Sequence, residues 1–207
     1  MRRSLNEVTS ELRKASLGAG FPVGHAEDLS KAAACLIDHG HDGTAALLQG
    51  LGVGFEKTSS EDNFNTARDG AALFEILYAG GAGSERSLIG VYAPALLIGV
   101  GLQFAKTYQC SLTLTLNNKI EVQLGQDQLL LSCPFEAILS EQMCQSVNIQ
   151  VSQLLADSIE TKSINGEGVL INENLWLEIK TLAAKTYVPA SEASRLKGAG
   201  ASVNDND

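Results

Sequence analysis

The sequence has no cluster of basic residues beyond the Arg2-Arg3 pair at its start. Its 15 lysines and arginines are outnumbered by 24 aspartates and glutamates, which gives a formal net charge of -9 at pH 7. Proteins that bind a phosphate backbone or an anionic lipid surface need clustered cations to displace counterions. We therefore expect neither nucleic acid nor a membrane as a partner.

The sequence also lacks the glycine-rich and nucleophile motifs of common enzymes. It contains no GxSxG, no GxxxxGK[ST] and no complete GxGxxG, so it predicts neither a nucleophile elbow nor a nucleotide cradle. No cofactor is expected on these grounds. Whether the protein is an enzyme stays open at this stage.

Cysteine pairs at metal-binding or redox spacing are absent as well. The chain has four cysteines, none of them in a CxxC motif: Cys35, Cys110, Cys133 and Cys144. Free thiols in a reducing compartment are the simplest interpretation. The charged start is followed by no apolar run, so no signal peptide is predicted. We expect a soluble cytoplasmic protein.

What the sequence does contain is enough apolar material for a packed core, at 44% hydrophobic and 19% charged residues. Ser4-x-x-Glu7 is a capping box and predicts a first helix. Apolar residues at helical spacing over 29–37 predict a second helix. Similar spacing predicts further helices over 68–79 and after Asn172.

The middle of the chain changes to a period of two. Residues 111–116 and 119–124 alternate apolar and polar side chains around Asn117-Asn118, which predicts a β-hairpin. Strands over 87–91, 128–133 and 146–152 complete the pattern. The sequence thus predicts an α+β fold with N-terminal helices, a mainly antiparallel sheet of about four or five strands, and a C-terminal helix.

One uncharged stretch, Ser87 to Ala105, approaches the length that spans a bilayer. It is interrupted by Gly90, Pro94 and two further glycines, and its flanks lack interfacial tryptophan. Proline is tolerated in the first turn of a helix. We interpret the stretch as a buried strand followed by a buried helix from Pro94 to about residue 107.

The domain organisation is expected to be simple. Residues 1–189 are predicted to form a single α+β domain, and the glycine-rich C-terminal segment 190–207 is predicted to pack on it. Residues 50–65 are rich in glycine, serine and acidic residues, and they predict a loop that is a candidate lid or hinge.

Two histidines are the first candidate site. His39 and His41 lie between Asp38 and Asp42, and imidazole with carboxylate is a ligand set for a transition metal. No third histidine follows. The alternative is a helix C-terminus, where histidine interacts favourably with the helix dipole and Gly40 ends the helix. No metal site is predicted, and the two histidines remain weak candidates.

The C-terminal segment is the second candidate site. Hydroxyls and a guanidinium beside glycines could hold a carboxylate or phosphate. The residues concerned are Ser191, Ser194, Arg195, Gly198 and Gly200. The alternative interpretation, a capped helix followed by a frayed end, remains open.

Three segments of the chain are similar to an uncharacterised bacterial family of about this length, a domain of unknown function. They are residues 4–7 leading to 18–20, residues 24–27, and the closing segment TYVPASEASRLKGAGASVNDND. The resemblance implies no reaction. It implies that the closing glycine-rich segment belongs to the domain.

The sequence leaves two hypotheses for the function. The first is a non-catalytic domain that self-associates or binds a protein partner, for which the hairpin over 111–124 is expected to offer a free edge. The second is an enzyme or sensor for a small anionic metabolite that uses Arg195 and its neighbouring glycines, with His39 or His41 as a base.

Overall fold

The computed structural model describes residues 1–152 and 168–186, which form seven helices and eight strands. In chain order these are β1 Arg2–Arg3, α1 Leu5–Gly18, α2 Val23–Asp38, α3 Gly43–Val53, β2 Phe64–Asn65, α4 Thr66–Ala79, β3 Glu85–Tyr92, α5 Pro94–Tyr108, β4 Ser111–Leu116, β5 Ile120–Leu124, β6 Leu129–Leu131, α6 Phe135–Leu139, β7 Met143–Ser152, β8 Val169–Leu170 and α7 Glu173–Ala184. The predicted α+β class is confirmed. The predicted segment 190–207 lies outside the described residues.

The main sheet has six strands in the order β2-β3-β7-β4-β5-β6. Every neighbouring pair is antiparallel except β2 and β3, which run parallel. The five predicted strands correspond to β3 through β7. The prediction missed β1, β2 and β8, because a strand of two residues is too short to show a period.

The predicted hairpin is present as β4 and β5, but its place in the sheet is not the expected one. Asn117 and Asn118 have φ of 50° and 55°, the left-handed values that a two-residue hairpin turn requires. The Asn117 Oδ1 accepts hydrogen bonds from the backbone N–H groups of Gln145 and Ser146, at 2.9 and 3.2 Å. β4 is therefore held between β5 and β7, and β6 covers β5. The expectation that the hairpin offers a free edge is wrong.

The helices lie on one face of the sheet. α4 and α5 form the layer against the strands. α2 and α3 pack on the far side of α5, α1 packs on α2, and α7 packs on α1. Along β4 the leucines at 112, 114 and 116 are buried under the helices, while Thr113 and Thr115 lie on the opposite, solvated face. Among the residues that the structure describes, helices cover one face of the sheet and leave the other face open.

The uncharged stretch 87–105 forms most of β3 and α5, as predicted. Eleven of the fifteen residues of α5 are buried, and Pro94 occupies its first turn. Among the described residues, no helix is long and apolar enough to cross a membrane.

The predicted loop over 50–65 begins later than expected, because α3 continues to Val53. Its far end is held by Asn65, which is completely buried. The Asn65 Nδ2 donates to the carbonyl oxygens of Gly54 and Lys57 at 2.9 and 2.7 Å. The backbone N–H of Asn65 donates to Ser59 Oγ at 2.8 Å. The Asn65 side-chain amide thus links the end of the loop to its beginning at Gly54. The loop leads into β2, which pairs with β3.

The close packing of α5 can be tested at a glycine. A methyl group on Gly99 would lie 2.8 Å from the Ala32 carbonyl oxygen of α2, a backbone atom that cannot move freely. We expect Gly99→Ala to lower the free energy of unfolding by about 1–3 kcal/mol. Gly52→Ala is the matched control, since nothing lies within 4 Å of that position and alanine favours helix. Urea denaturation of both variants measures the difference, and equal stabilities would contradict the packing described.

Candidate functional site

One side of β3 has a long unpaired run, from Glu85 to Ile89, at an edge of the main sheet. β7 pairs with β3 along its length, from Glu85 to Tyr92. On the other side β2 pairs with Val91 and Tyr92 alone. Within the part of the chain that the structure describes, no strand covers this side of Glu85–Ile89.

The backbone of this run presents hydrogen-bonding groups to its open side. The N–H of Val151 in β7 donates to the carbonyl oxygen of Ser84 at 2.9 Å, which fixes the register of the ladder. In an antiparallel pair, successive residues point their N–H and C=O alternately toward and away from the neighbour. Glu85, Ser87 and Ile89 therefore direct both groups away from β7, where a further strand could pair with them.

Helix α4 forms the second wall of a groove along this edge. Thr66 Oγ1, at the start of α4, donates to the carbonyl oxygen of Tyr92, at the end of β3, at 2.6 Å. Past the other end of the helix, the Ser84 N–H donates to the Gly81 carbonyl oxygen at 3.1 Å. α4 thus runs antiparallel to β3. The groove between them has a volume of about 660 Å³.

The floor and walls of this groove, which we call the β3 groove, are mixed apolar and polar. Leu73, Leu77 and Leu88 are buried at its base. Ile76 on α4 and Ile89 on β3 are 69% and 58% exposed, so two large apolar side chains flank the edge that the described strands leave open. Exposed isoleucines beside an open strand edge are typical of a binding surface.

Acidic side chains stand at the end of the β3 groove nearest Ile89. Glu61 is exposed on the loop, and Asp69 lies in the first turn of α4. The Ser59 hydroxyl donates to Asp69 Oδ2 at 2.6 Å, and the same hydroxyl is held by the Asn65 N–H. The buried Asn65 therefore also positions the acidic end of the groove. Arg86, on the strand itself, is exposed.

The two histidine candidates have structural contacts. His39 Nδ1 lies 2.8 Å from the Cys35 carbonyl oxygen at the C-terminus of α2, and Gly40 follows with φ of 81°. His41 stacks on the buried Phe135 with ring centroids 4.6 Å apart. The described residues hold no group of three or more His, Cys, Asp or Glu side chains that could bind a metal ion. The geometry favours the helix-end interpretation.

The cysteines are all free, as the sequence predicted. Burial raises the pKa of Cys35, Cys110 and Cys144, so each favours the protonated thiol. A protonated thiol is a poor nucleophile. Cys35 and Cys110 pack as small apolar groups in the core and its margin, and the Cys144 thiol donates to Asn117 Oδ1 at 3.0 Å.

The C-terminal candidates lie outside the described residues. This applies to the whole predicted anion site: Ser191, Ser194, Arg195, Gly198 and Gly200. The residues that the structure does bring together, on α4 and β3, were not selected from the sequence. The sequence signals there were the buried-strand pattern over 87–91 and the helical spacing over 68–79.

Comparison with known proteins finds a family model that is similar to the first part of the chain. Residues 3–80 match the family described as "Protein of unknown function (DUF3726)". The predicted resemblance to an uncharacterised family is thereby confirmed. The matched part runs from β1 to the end of α4, so it includes the helical wall of the β3 groove. No curated protein and no solved structure matches the chain.

The contact of His41 with Phe135 predicts a pH dependence of stability. Burial lowers the pKa of His41, an effect that nearby His39 reinforces and Glu136 opposes. The unfolded chain therefore takes up a proton more readily than the folded chain, and stability should fall as the pH drops below about 6.5. Urea denaturation at several pH values between neutral and mildly acidic measures this loss. His41→Phe keeps the stacked ring and should flatten the dependence; an unchanged slope would assign it to other groups.

Proposed function

We propose that the protein is a non-catalytic interaction domain that binds an extended segment of another polypeptide by strand addition to β3. The observation that carries the proposal is the open run Glu85–Ile89, whose outward backbone groups face a groove beside an apolar helix. In strand addition the backbone pairing supplies affinity, and alternate side chains supply specificity. At roughly 3.3 Å per residue, this edge accommodates a segment of about five residues.

The surrounding chemistry supports an interaction domain over an enzyme. The groove holds hydroxyl, carboxylate and isoleucine side chains, with no histidine or cysteine among the residues that line it. Beside these side chains, the outward N–H and C=O groups of Glu85, Ser87 and Ile89 supply hydrogen-bonding groups that suit recognition of another backbone. The net charge of -9 argues against nucleic acid as a partner. The proposal includes a cytoplasmic location, which the free cysteines support.

The domain boundaries belong to the same proposal. We propose that residues 1–189 form one α+β domain on which the segment 190–207 packs; residues 153–167 and 187–207 lie outside the described part of the chain. Continuity of the core supports this arrangement for the described part, since buried residues from α1 to α7 belong to a single apolar cluster.

The proposed mode of binding is tested with peptides selected for binding from a displayed library of short linear sequences. Strand addition should slow hydrogen exchange of the Glu85, Ser87 and Ile89 amides when a selected peptide is added. Replacing alternate peptide N–H groups by N-methyl groups should abolish binding, because each removes a donor to the β3 edge. Protection confined to another surface would reject the site.

A matched pair of variants isolates the backbone contribution. Ser87→Pro removes an N–H that points away from β7, and proline is tolerated at a sheet edge. Ser87→Ala removes the same hydroxyl and keeps the N–H. We expect the proline variant to bind selected peptides about tenfold more weakly than the alanine variant, because a peptide carbonyl loses its donor. Calorimetric titration measures the ratio, and thermal melts check that both variants are folded. Equal affinities would contradict strand addition.

A further inference from the structure

We propose that the segment which occupies the β3 groove is β3 of a second copy of this chain. The two strands pair antiparallel about a twofold axis at Ser87 and join the two main sheets into one. This inference rests on the proposed function, because it requires the β3 edge to accept a strand.

The unpaired run of β3 is as long as the segment of a second β3 that would pair with it. β3 begins at Glu85, and its unpaired side ends at Ile89, because β2 pairs from Val91 onward. When two copies pair about Ser87, Glu85 of one lies opposite Ile89 of the other. The pairing uses the whole free run, and β2 stands just beyond it.

The backbone groups are also self-complementary in this register. The residues with outward N–H and C=O groups are Glu85, Ser87 and Ile89, spaced symmetrically about Ser87. In an antiparallel pair, two such residues placed opposite each other exchange both hydrogen bonds. A twofold axis at Ser87 places each outward residue opposite an outward residue of the second copy, so no outward group on this run is left without a partner. An isologous contact of this kind closes at two copies.

The side chains on the α4 side of the sheet are complementary in charge. Arg86 comes opposite Leu88 of the second copy, so it is shifted toward the Ile89 end of that copy's groove. Because α4 runs antiparallel to β3, that end is where Glu61 and Asp69 stand. Each copy thus brings one guanidinium toward the end of the other groove where the exposed Glu61 stands, while Asp69 is already paired with Arg68 of its own chain at 3.7 Å. A segment from an unrelated protein would need to supply its own cation at this position.

The exposed isoleucines give the pairing its apolar component. Ile89 lies on the open face of the sheet and Ile76 on the α4 side, so the junction between the two copies has an apolar side chain on both faces. The two α4 helices approach each other across the junction. On the helix-covered side the pairing brings the two Ile76 side chains, each 69% exposed in one chain, toward the junction, while Ile89 lies beside Glu85 of the second copy on the open face.

Single cysteines test the register directly. In Ser87→Cys the two thiols meet at the axis, where opposite residues of a hydrogen-bonded pair have Cα atoms about 5.5 Å apart, within the range of a disulfide. Ile89→Cys is the matched control, because its two copies lie roughly 13 Å apart along the strands. With oxidised glutathione, two protein thiols form one disulfide and the oxidant is reduced to two molecules of glutathione. The unsubstituted chain measures any background from the native cysteines.

We expect sedimentation velocity of the full chain to show a species of twice the chain mass that grows with protein concentration. Ser87→Cys should form a covalent dimer, while Ile89→Cys should not. Ser87→Pro should shift the association to higher concentration than Ser87→Ala. Glu85, Ser87 and Ile89 amides should gain protection from exchange as the dimer forms.

Other outcomes overturn the inference and separate it from the proposed function. If the chain stays monomeric and forms no cross-link at position 87, a second copy is excluded as the occupant. If selected peptides still protect the β3 amides from exchange in that case, the proposed function by strand addition is supported. A dimer that cross-links equally at positions 87 and 89, or protects other amides, excludes this register and this surface. A monomer whose β3 amides gain no protection with any selected peptide excludes both.

Discussion

The structure depends on one helix that is enclosed on nearly all sides. α5 lies between the sheet and the outer helices. Its neighbours can approach this closely only at positions where α5 has glycine and therefore no side chain. Gly99 brings α5 against the backbone of α2 at Ala32, while Gly101 faces Phe74 of α4 and Leu124 of β5. Interiors packed at this density tolerate no added methyl group without movement of the neighbours. The two glycines therefore set the distances between three layers.

The contact between Gly101 of α5 and Phe74 of α4 fixes the position of α4, and this position creates the β3 groove. Gly70 of α4 faces Val100 of α5, where an added Cβ would lie at ordinary contact distance. The close approach of α4 to α5 is instead at Gly101, where an added Cβ would lie 2.9 Å from the Phe74 ring. The inner side chains of α4, Leu73 and Leu77, are buried, and Ile76 remains on the side facing the open edge. A helix held in this way stands beside β3 and does not cover it.

The sequence predicted those elements that are marked by a pattern within a few residues. It did not predict the order of the strands in the sheet. The Asn117-Asn118 turn, Pro94 at the start of α5 and the alternation of β4 are each readable within a few residues. The insertion of β7 between β3 and β4 is not, because it joins segments separated by some fifty residues of chain. That insertion places the hairpin inside the sheet and leaves β3 near its edge. The candidate groove was therefore missed, and the hairpin edge was wrongly favoured. The C-terminal candidates around Arg195 lie outside the described residues.

The two edges of the main sheet differ in a way that favours a binding role for β3. Natural proteins usually protect an edge by making the strand short, by charge, by proline or by a bulge. At one edge β6 has three residues and is followed closely by Pro134. At the other edge Glu85 and Arg86 place charge at one end, but Ser87, Leu88 and Ile89 carry none. An edge that is long, partly apolar and bordered by a groove would be an aggregation hazard unless a specific strand covers it. The strand addition proposed above would protect the run that the described residues leave open, as its short length protects β6.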